Sequence, residues 1–263
     1  MSEPHINETE LLKKIFDLFE YRLFPELLTL AGVQDVEAHR FLEALARLQA
    51  SIYHLDAHLE SNWETRHEAL AYHWAQIVSR LSDMGVDRAR AGEYLNHIRK
   101  YEKHELELRQ GKSPLRFDME YFYFYKSCDV KLLRRLIYEH FQLTPAAGRL
   151  ADWRYYDLVT EVNDDVEDLF EDLTFINGNR FLISLIIKGK QDTRNTFVTF
   201  LSEVDTKSHE RAKTAGPYYR EVIMPLTARR ITETSSLLEQ RLNEITAKQL
   251  SESRLFKHQT ITP

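Results

Sequence analysis

The stretch Asn163-Asp164-Asp165-Val166-Glu167-Asp168-Leu169-Phe170-Glu171-Asp172 follows directly on Tyr155-Tyr156-Asp157-Leu158-Val159-Thr160-Glu161-Val162. The earlier half carries apolar residues at helical spacing, and Val166, Leu169 and Phe170 continue the pattern. Read as one helix, residues four apart fall on nearly the same face. Asp164, Asp168 and Asp172 then form one acidic ridge, with Asn163, Glu167 and Glu171 beside it and Val162, Val166, Leu169 and Phe170 towards the core. Like charges at that spacing repel by a few tenths of a kcal/mol per pair. A helix tolerates them if the acids are solvated or if a cation sits among them. The first case is an ordinary solvated helix end. The second is an acidic face for Mg²⁺, which takes oxygen ligands.

The rest of the chain favours helices. It has 263 residues, 43% of them hydrophobic, with only 8 glycines and 7 prolines. Apolar residues recur at three- and four-residue spacing nearly throughout, and no alternating pattern bounded by Asn-Gly or Asp-Gly turns is present. The composition predicts an all-α protein with a substantial core. Cys128 is the single cysteine, which fits a reducing compartment. The N-terminus lacks an apolar core of signal-peptide type, and the longest apolar run, Phe181 to Ile187 with Ser184 inside it, is too short to span a bilayer. These features predict a soluble cytoplasmic protein with no membrane insertion. A net charge of −6 gives no reason to expect a nucleic-acid partner.

Start and stop signals divide the chain into about nine or ten helices. The first runs from Glu8 to Ala31, kinked or divided at Pro25 and ended by Gly32. Others run from Val36 past Glu60, from Trp63 to Met84 and from Asp87 to Arg109. After a loop at 110–114 come five consecutive aromatics, Tyr121 to Tyr125, then a helix from Val130 to Phe141 capped by Ser127 or Asp129. Thr144-Pro145 is expected to open the helix that carries the acidic ridge. A loop at 174–179 leads to an apolar helix from Arg180 that stops at Gly189, then to helices from Asp192 to Lys213 and from Gly216-Pro217 to Leu250. No stretch is rich enough in Pro, Gly or Ser to be a linker, so 1–263 reads as one domain with flexible termini at 1–7 and 252–263.

A second acidic pair stands on the helix ending Tyr53-His54-Leu55-Asp56-Ala57-His58-Leu59-Glu60. As surface residues Asp56 and Glu60 would be ordinary. Together with the run at 164, they make the chain resemble the class I isoprenoid synthases, the terpene cyclases and trans-prenyltransferases. Asp56-Ala57-His58-Leu59-Glu60 is similar to the family's first aspartate-rich motif, with the second aspartate missing. Asp164-Asp165-Val166-Glu167-Asp168 matches a DDxxD motif, and Asp164, Asp168 and Asp172 follow the cyclase spacing with Asp in each place. A competing register uses Asn163, Glu167 and Glu171. Lys126-Ser127-Cys128 is similar to a diphosphate-holding lysine element at a helix break, while Arg116, Arg66 and the segment Arg22-Leu23-Phe24-Pro25 match basic positions more weakly.

The resemblance implies an all-α bundle around a central cavity, and a homodimer is compatible with it. It implies that Asp56, Glu60, Asp164, Asp168 and Asp172 hold Mg²⁺, typically three ions, and that Lys126, Arg116 and Arg66 bind the diphosphate of a prenyl diphosphate. Loss of diphosphate leaves an allylic carbocation, which needs a dry pocket with aromatic faces. Tyr53, Tyr121, Phe122 and Tyr125 are candidates for that lining. Cyclisation is the leading expectation and elongation with isopentenyl diphosphate the alternative. Two other classes stay open. A carboxylate-bridged di-iron bundle needs two Glu-x-x-His motifs, of which Glu64-x-x-His67 supplies one. A non-enzymatic helical protein would use the acidic ridge to bind a basic partner.

Overall fold

The computed structural model describes residues 7–143 and 147–257, and every regular element among them is helical, as the composition predicts. None of these helices is long and apolar enough to cross a membrane. The chain divides into two compact units, Met1–Arg99 with Cys128–Ala147 and Lys100–Ser127 with Gly148–Pro263. One boundary falls inside a helix and another at a one-residue helix break. Neither leaves a Pro-, Gly- or Ser-rich linker to read in the sequence.

Unit 1 contains α1 (Glu8–Tyr21), α2 (Phe24–Leu30), α3 (Asp35–Ser61), α4 (His67–Asp83), the first part of α5 (Arg88–Leu108), and α7 (Cys128–His140). Asn7 caps α1 by accepting the Thr9 N–H at 3.1 Å. The first expected helix is two, because Leu23 is left-handed at φ 58° and Pro25 sits in the first turn of α2, where its missing donor costs nothing. α3 buries Phe41, Leu45, Leu48, Ile52, Leu55 and Leu59 and packs on α1, α4 and α7. Gln49 is fully buried and donates to Asp129 on α7 at 2.6 Å. α4 starts at His67 rather than Trp63, because Asn62 leaves α3 in an extended conformation.

Unit 2 contains the rest of α5, α6 (Met119–Lys126), α8 (Arg154–Glu167), α9 (Leu169–Asp172), α10 (Arg180–Ala212), α11 (Met224–Glu244), α12 (Ala247–Glu252) and α13 (Arg254–Lys257). Ser127 closes α6 rather than opening α7, and its hydroxyl donates back to the Phe124 carbonyl at 3.3 Å. Thr144-Pro145 lies outside the described residues. The helix of the acidic run is entered through a 3₁₀ turn at Leu150–Trp153. α10 is broken at Gly189 (φ 78°, ψ 174°), the stop that the sequence predicts. A π-turn at Tyr219–Ile223 leads into α11, which ends at Glu244, short of the expected Leu250. There Thr246 and Gln249 form a capping box that starts α12. The tail expected to fray from 252 opens with two buried residues, Ser253 and Leu255, and Arg254 N–H donates to the Leu173 carbonyl at 2.8 Å.

Candidate functional site

α6, α10 and α11 all pack on α8, so every residue from Tyr156 to Asn163 is buried. The helix expected to show one wet acidic face is therefore enclosed over most of its length, with Asp157, Glu161 and Asp165 inside. Buried carboxylates must be paired or hydrogen-bonded, and Asp165, with no exposed surface, is both. Lys126 forms an ion pair with its Oδ1. The Tyr123 hydroxyl and the Arg180 backbone N–H each donate to its Oδ2 at 2.8 Å.

The loop after α9 closes the cluster. Asn179 caps α10 by accepting the Leu182 N–H at 2.8 Å, and its amide donates to the Asp165 carbonyl at 2.7 Å and to Asp172 Oδ2 at 2.6 Å. The Asn177 amide takes the other Asp172 oxygen at 2.5 Å. The Arg180 guanidinium donates to the Pro114 and Phe117 carbonyls at 2.7 and 2.8 Å and lies over the Phe122 ring. Gly178 packs against Glu105 of α5 so closely that a Cβ there would collide with Oε1 and lie 3.3 Å from Cδ.

Burial and charge set the protonation of this cluster. Burial opposes the Lys126 ammonium, but the Asp165 and Glu161 carboxylates outweigh it and hold it well above the usual lysine range. Burial pushes Asp172 up to about 6, against the Asn179 hydrogen bond and the Lys126 charge. The Tyr123 hydroxyl is raised by burial and by the Asp165 charge, so it stays a donor.

The three ridge acids have different surroundings. Asp164 is half-buried, Asp168 exposed and Asp172 buried. The run is not one unbroken helix, because Asp168 (φ −82°, ψ 5°) separates α8 from α9. Backbone bonds from Asp168 N to Asp164 O and from Asp172 N to Asp168 O, each 2.9 Å, still keep the four-residue spacing. On the adjoining ridge Asn163 is buried against α11, while Glu167 and Glu171 are exposed. Thr234 donates to Asn163 at 3.0 Å, Asn163 donates to Glu167 at 3.1 Å, and Arg241 donates to the Glu167 carbonyl at 3.2 Å while lying over Phe170.

The aromatic run splits by helical face. Phe122 and Tyr123 are buried, whereas Tyr121 and Tyr125 are half-buried beside Phe117 and His104. Lys100 lies over Tyr121 and Tyr125. Arg116 pairs with Glu107 and lies over Phe117 at 4.4 Å. In unit 1, Tyr53, Asp56 and Glu60 are half-buried on α3, and Arg66 is exposed at the start of α4. Unit 1 also has a cleft of about 160 Å³ lined by Phe41, Val86, Arg90, Tyr94, Leu136 and Glu139, among others. It is below the roughly 300–1,000 Å³ of ordinary ligand pockets, and Tyr94 and Arg90 both engage Glu139.

Unit 2 therefore brings Lys126 together with Asp165 and Asp172 around α8, and it gathers Tyr121 and Tyr125 around Lys100. Asp164 and Asp168 stand one turn apart and offer the hard oxygen donors that suit Mg²⁺. That ion ordinarily takes one or two carboxylates and completes its shell with water and phosphate. Among the described residues no group of three or more His, Cys, Asp or Glu is placed to hold a metal ion. No family model, curated protein or solved structure matches the chain.

Sequence reasoning quoted Asp165 within the DDxxD match but missed its burial, and it missed Tyr123 as its donor, Asn177 and Asn179 as partners of Asp172, and the Glu105–Gly178 contact. A signal for the first was present. Leu158, Val162, Asp165 and Leu169 share one helical stripe, and a carboxylate within an apolar stripe implies a buried partner.

Proposed function

We propose that the protein is a Mg²⁺-dependent class I isoprenoid synthase that ionises a prenyl diphosphate and cyclises the resulting cation. The observation that carries this reading is Lys126. It ends α6 at the break before α7, and its ammonium is held by Asp165 within the acidic run of α8. A lysine fixed in this way is an oriented donor for phosphate oxygens, and its charge is secured by the carboxylates around it. Its side chain keeps 20% of its surface exposed, so part of it remains accessible.

In the reaction the allylic C–O bond breaks and its electron pair leaves with the diphosphate. Lys126 stabilises the developing negative charge by donating to a diphosphate oxygen. Neutralisation of the remaining charge is supplied by Mg²⁺ when bound. Asp164 and Asp168 are the residues of unit 2 that would hold it; Asp56 and Glu60 form a separate candidate pair within unit 1. In this reading Asp172 orients Asn177 and Asn179 rather than leading the ligand set, since both its oxygens accept amide hydrogen bonds. Tyr121 and Tyr125 offer ring faces to the cation.

The test is incubation with C10, C15 and C20 prenyl diphosphates and Mg²⁺, with and without isopentenyl diphosphate, followed by product analysis. Cyclic hydrocarbons without isopentenyl diphosphate support the reading, and products longer than the substrate that appear only with it support elongation instead. Asp164→Ala and Asp56→Ala should each abolish turnover while leaving the fold intact. The absence of joint thermal stabilisation by Mg²⁺ and inorganic diphosphate would overturn the reading and leave the helical interaction protein, because binding to the folded state must raise its stability by mass action.

A further inference from the structure

The C-terminal part of α5 carries a histidine to which the reading above gives no role. The His104 ring packs 4.5 Å from Phe117, 6.1 Å from Tyr121 and 6.0 Å from Tyr125, centre to centre. Its Nδ1 is buried without a hydrogen-bond partner, which is unusual for a polar atom inside a fold. The aromatic faces around it are already committed to other cations. The Lys100 ammonium lies 5.1 Å over Tyr121 and 4.1 Å over Tyr125, and the Arg116 guanidinium lies 4.4 Å over Phe117.

We propose that His104 is an acid-opened latch: the neutral ring holds the C-terminal part of α5 against Phe117 and α6, and a proton on the ring opens that contact. The inference does not depend on the isoprenoid-synthase reading. The proton comes from water and bonds to the lone pair of a ring nitrogen, and no other bond changes. In the imidazolium both ring nitrogens are donors. Nδ1 is then part of a charged group and has no acceptor, an arrangement that burial penalises heavily. The residue as a whole is half-buried, so its ring lies close to water and turning outward solvates the new charge. Phe117, Tyr121 and Tyr125 then lose the ring that packs on them.

The charged and titratable groups facing the ring are Lys100, Lys103 and Glu107 on α5, Arg116 just before Phe117, and Tyr121 and Tyr125 on α6. Burial lowers His104 from the ordinary histidine value, and Arg116, Lys100 and Lys103 act in the same direction. Glu107 opposes them, but its carboxylate is engaged by Arg116 and by Lys112 at 3.3 Å. A histidine depressed in the closed state binds more protons once released. The closed contact is therefore most stable above the ordinary value of 6.5 and weakens as pH falls below it. α6 carries Tyr123 and Lys126, both of which meet Asp165, so acid loosens the element that positions them.

The experiment is hydrogen exchange of the α6 amides, Met119–Lys126, in the full chain and in His104→Phe, which keeps a ring against Phe117. Exchange is corrected for its intrinsic pH dependence and followed from about pH 7.5 to about pH 5, the range in which histidine titrates. Opening of α6 should rise by up to about tenfold per pH unit below 6.5 in the wild type and stay level in His104→Phe. Asp172 does not mimic this, because its protonation stabilises the folded chain as pH falls. Exchange that stays level in the wild type, or rises equally in the variant, overturns the proposal. An NMR titration of the wild-type His104 ring tests it without any substitution. A response below 6.5 is expected, and a response at or above it overturns the latch. Neither measurement uses a substrate, so failure of the latch and failure of the isoprenoid-synthase reading are read separately.

Discussion

α3 and α8 both carry acids paired with a positive partner, and the two helices use them in opposite ways. On α3, Glu43 meets His39 at 3.3 Å and Arg47 at 3.4 Å, with its side chain 42% exposed. On α8, Asp165 meets Lys126 with none of its own side chain exposed. The difference comes from packing. Three helices of unit 2 cover α8 along most of its length, while α3 keeps a solvent face. A carboxylate in water loses little when its partner goes, because water takes over. A carboxylate inside the fold has only the donors the chain brings to it.

The largest test of this contrast is Asp165→Ala. It leaves the Lys126 ammonium without its closest counter-charge and removes the acceptor of both Tyr123 and the Arg180 N–H. A loss of about 3–5 kcal/mol is expected, read from urea unfolding midpoints. A loss under about 1 kcal/mol would put the pair in the class of exposed ion pairs and break the comparison.

Asp172 sharpens it through pH. Its folded-state value of about 6 lies above its ordinary 3.8. Between those values the folded chain holds a proton that the unfolded chain has lost, so stability falls as pH rises through this window and the loss is complete above it. At about 1.4 kcal/mol per pKa unit the cost at neutral pH is of the order of 3 kcal/mol. Asp172→Asn removes the titrating group while keeping one of its two acceptor oxygens, and it should flatten that slope, measured by unfolding at intervals from pH 4 to 7. A slope equal to wild type would show that Asp172 does not titrate in this range.

The smallest effect belongs to α3. Glu43→Ala should change stability by no more than about 0.5 kcal/mol, and less in high salt. A change near that of Asp165→Ala would mean that exposure does not separate the two helices.

Much of the fold was legible in the residues. The scarcity of Gly and Pro and the spacing of Leu, Ile and Phe mark the helices, and Pro25, Gly32 and Gly189 mark their breaks with little error. Boundaries failed where side-chain capping beyond the obvious signals took over, as at Thr246, where a capping box ends the last long helix early. The division into two units was not legible, because two of its three boundaries fall inside a helix or at a one-residue helix break. At the candidate site, the 163–172 run and Lys126 were both singled out from the residues, and the fold brings them together. Which acid Lys126 meets could not. Helical periodicity ranks faces by hydrophobicity, and Asp165 lies on the face where a carboxylate is least expected. Its donors come from Tyr123, 42 residues earlier, and Arg180, 15 residues later, and no local pattern encodes those contacts.

The close approach of Gly178 to Glu105 has a consequence for how such a sequence can drift. Any side chain at 178 would occupy the space now filled by the Glu105 carboxylate. A change at 178 is therefore felt at 105. A descendant that gains a Cβ at 178 must shorten or redirect residue 105. The contact couples two distant parts of the chain, and through Asn177 and Asn179 it is tied to the acids of α8 and α9.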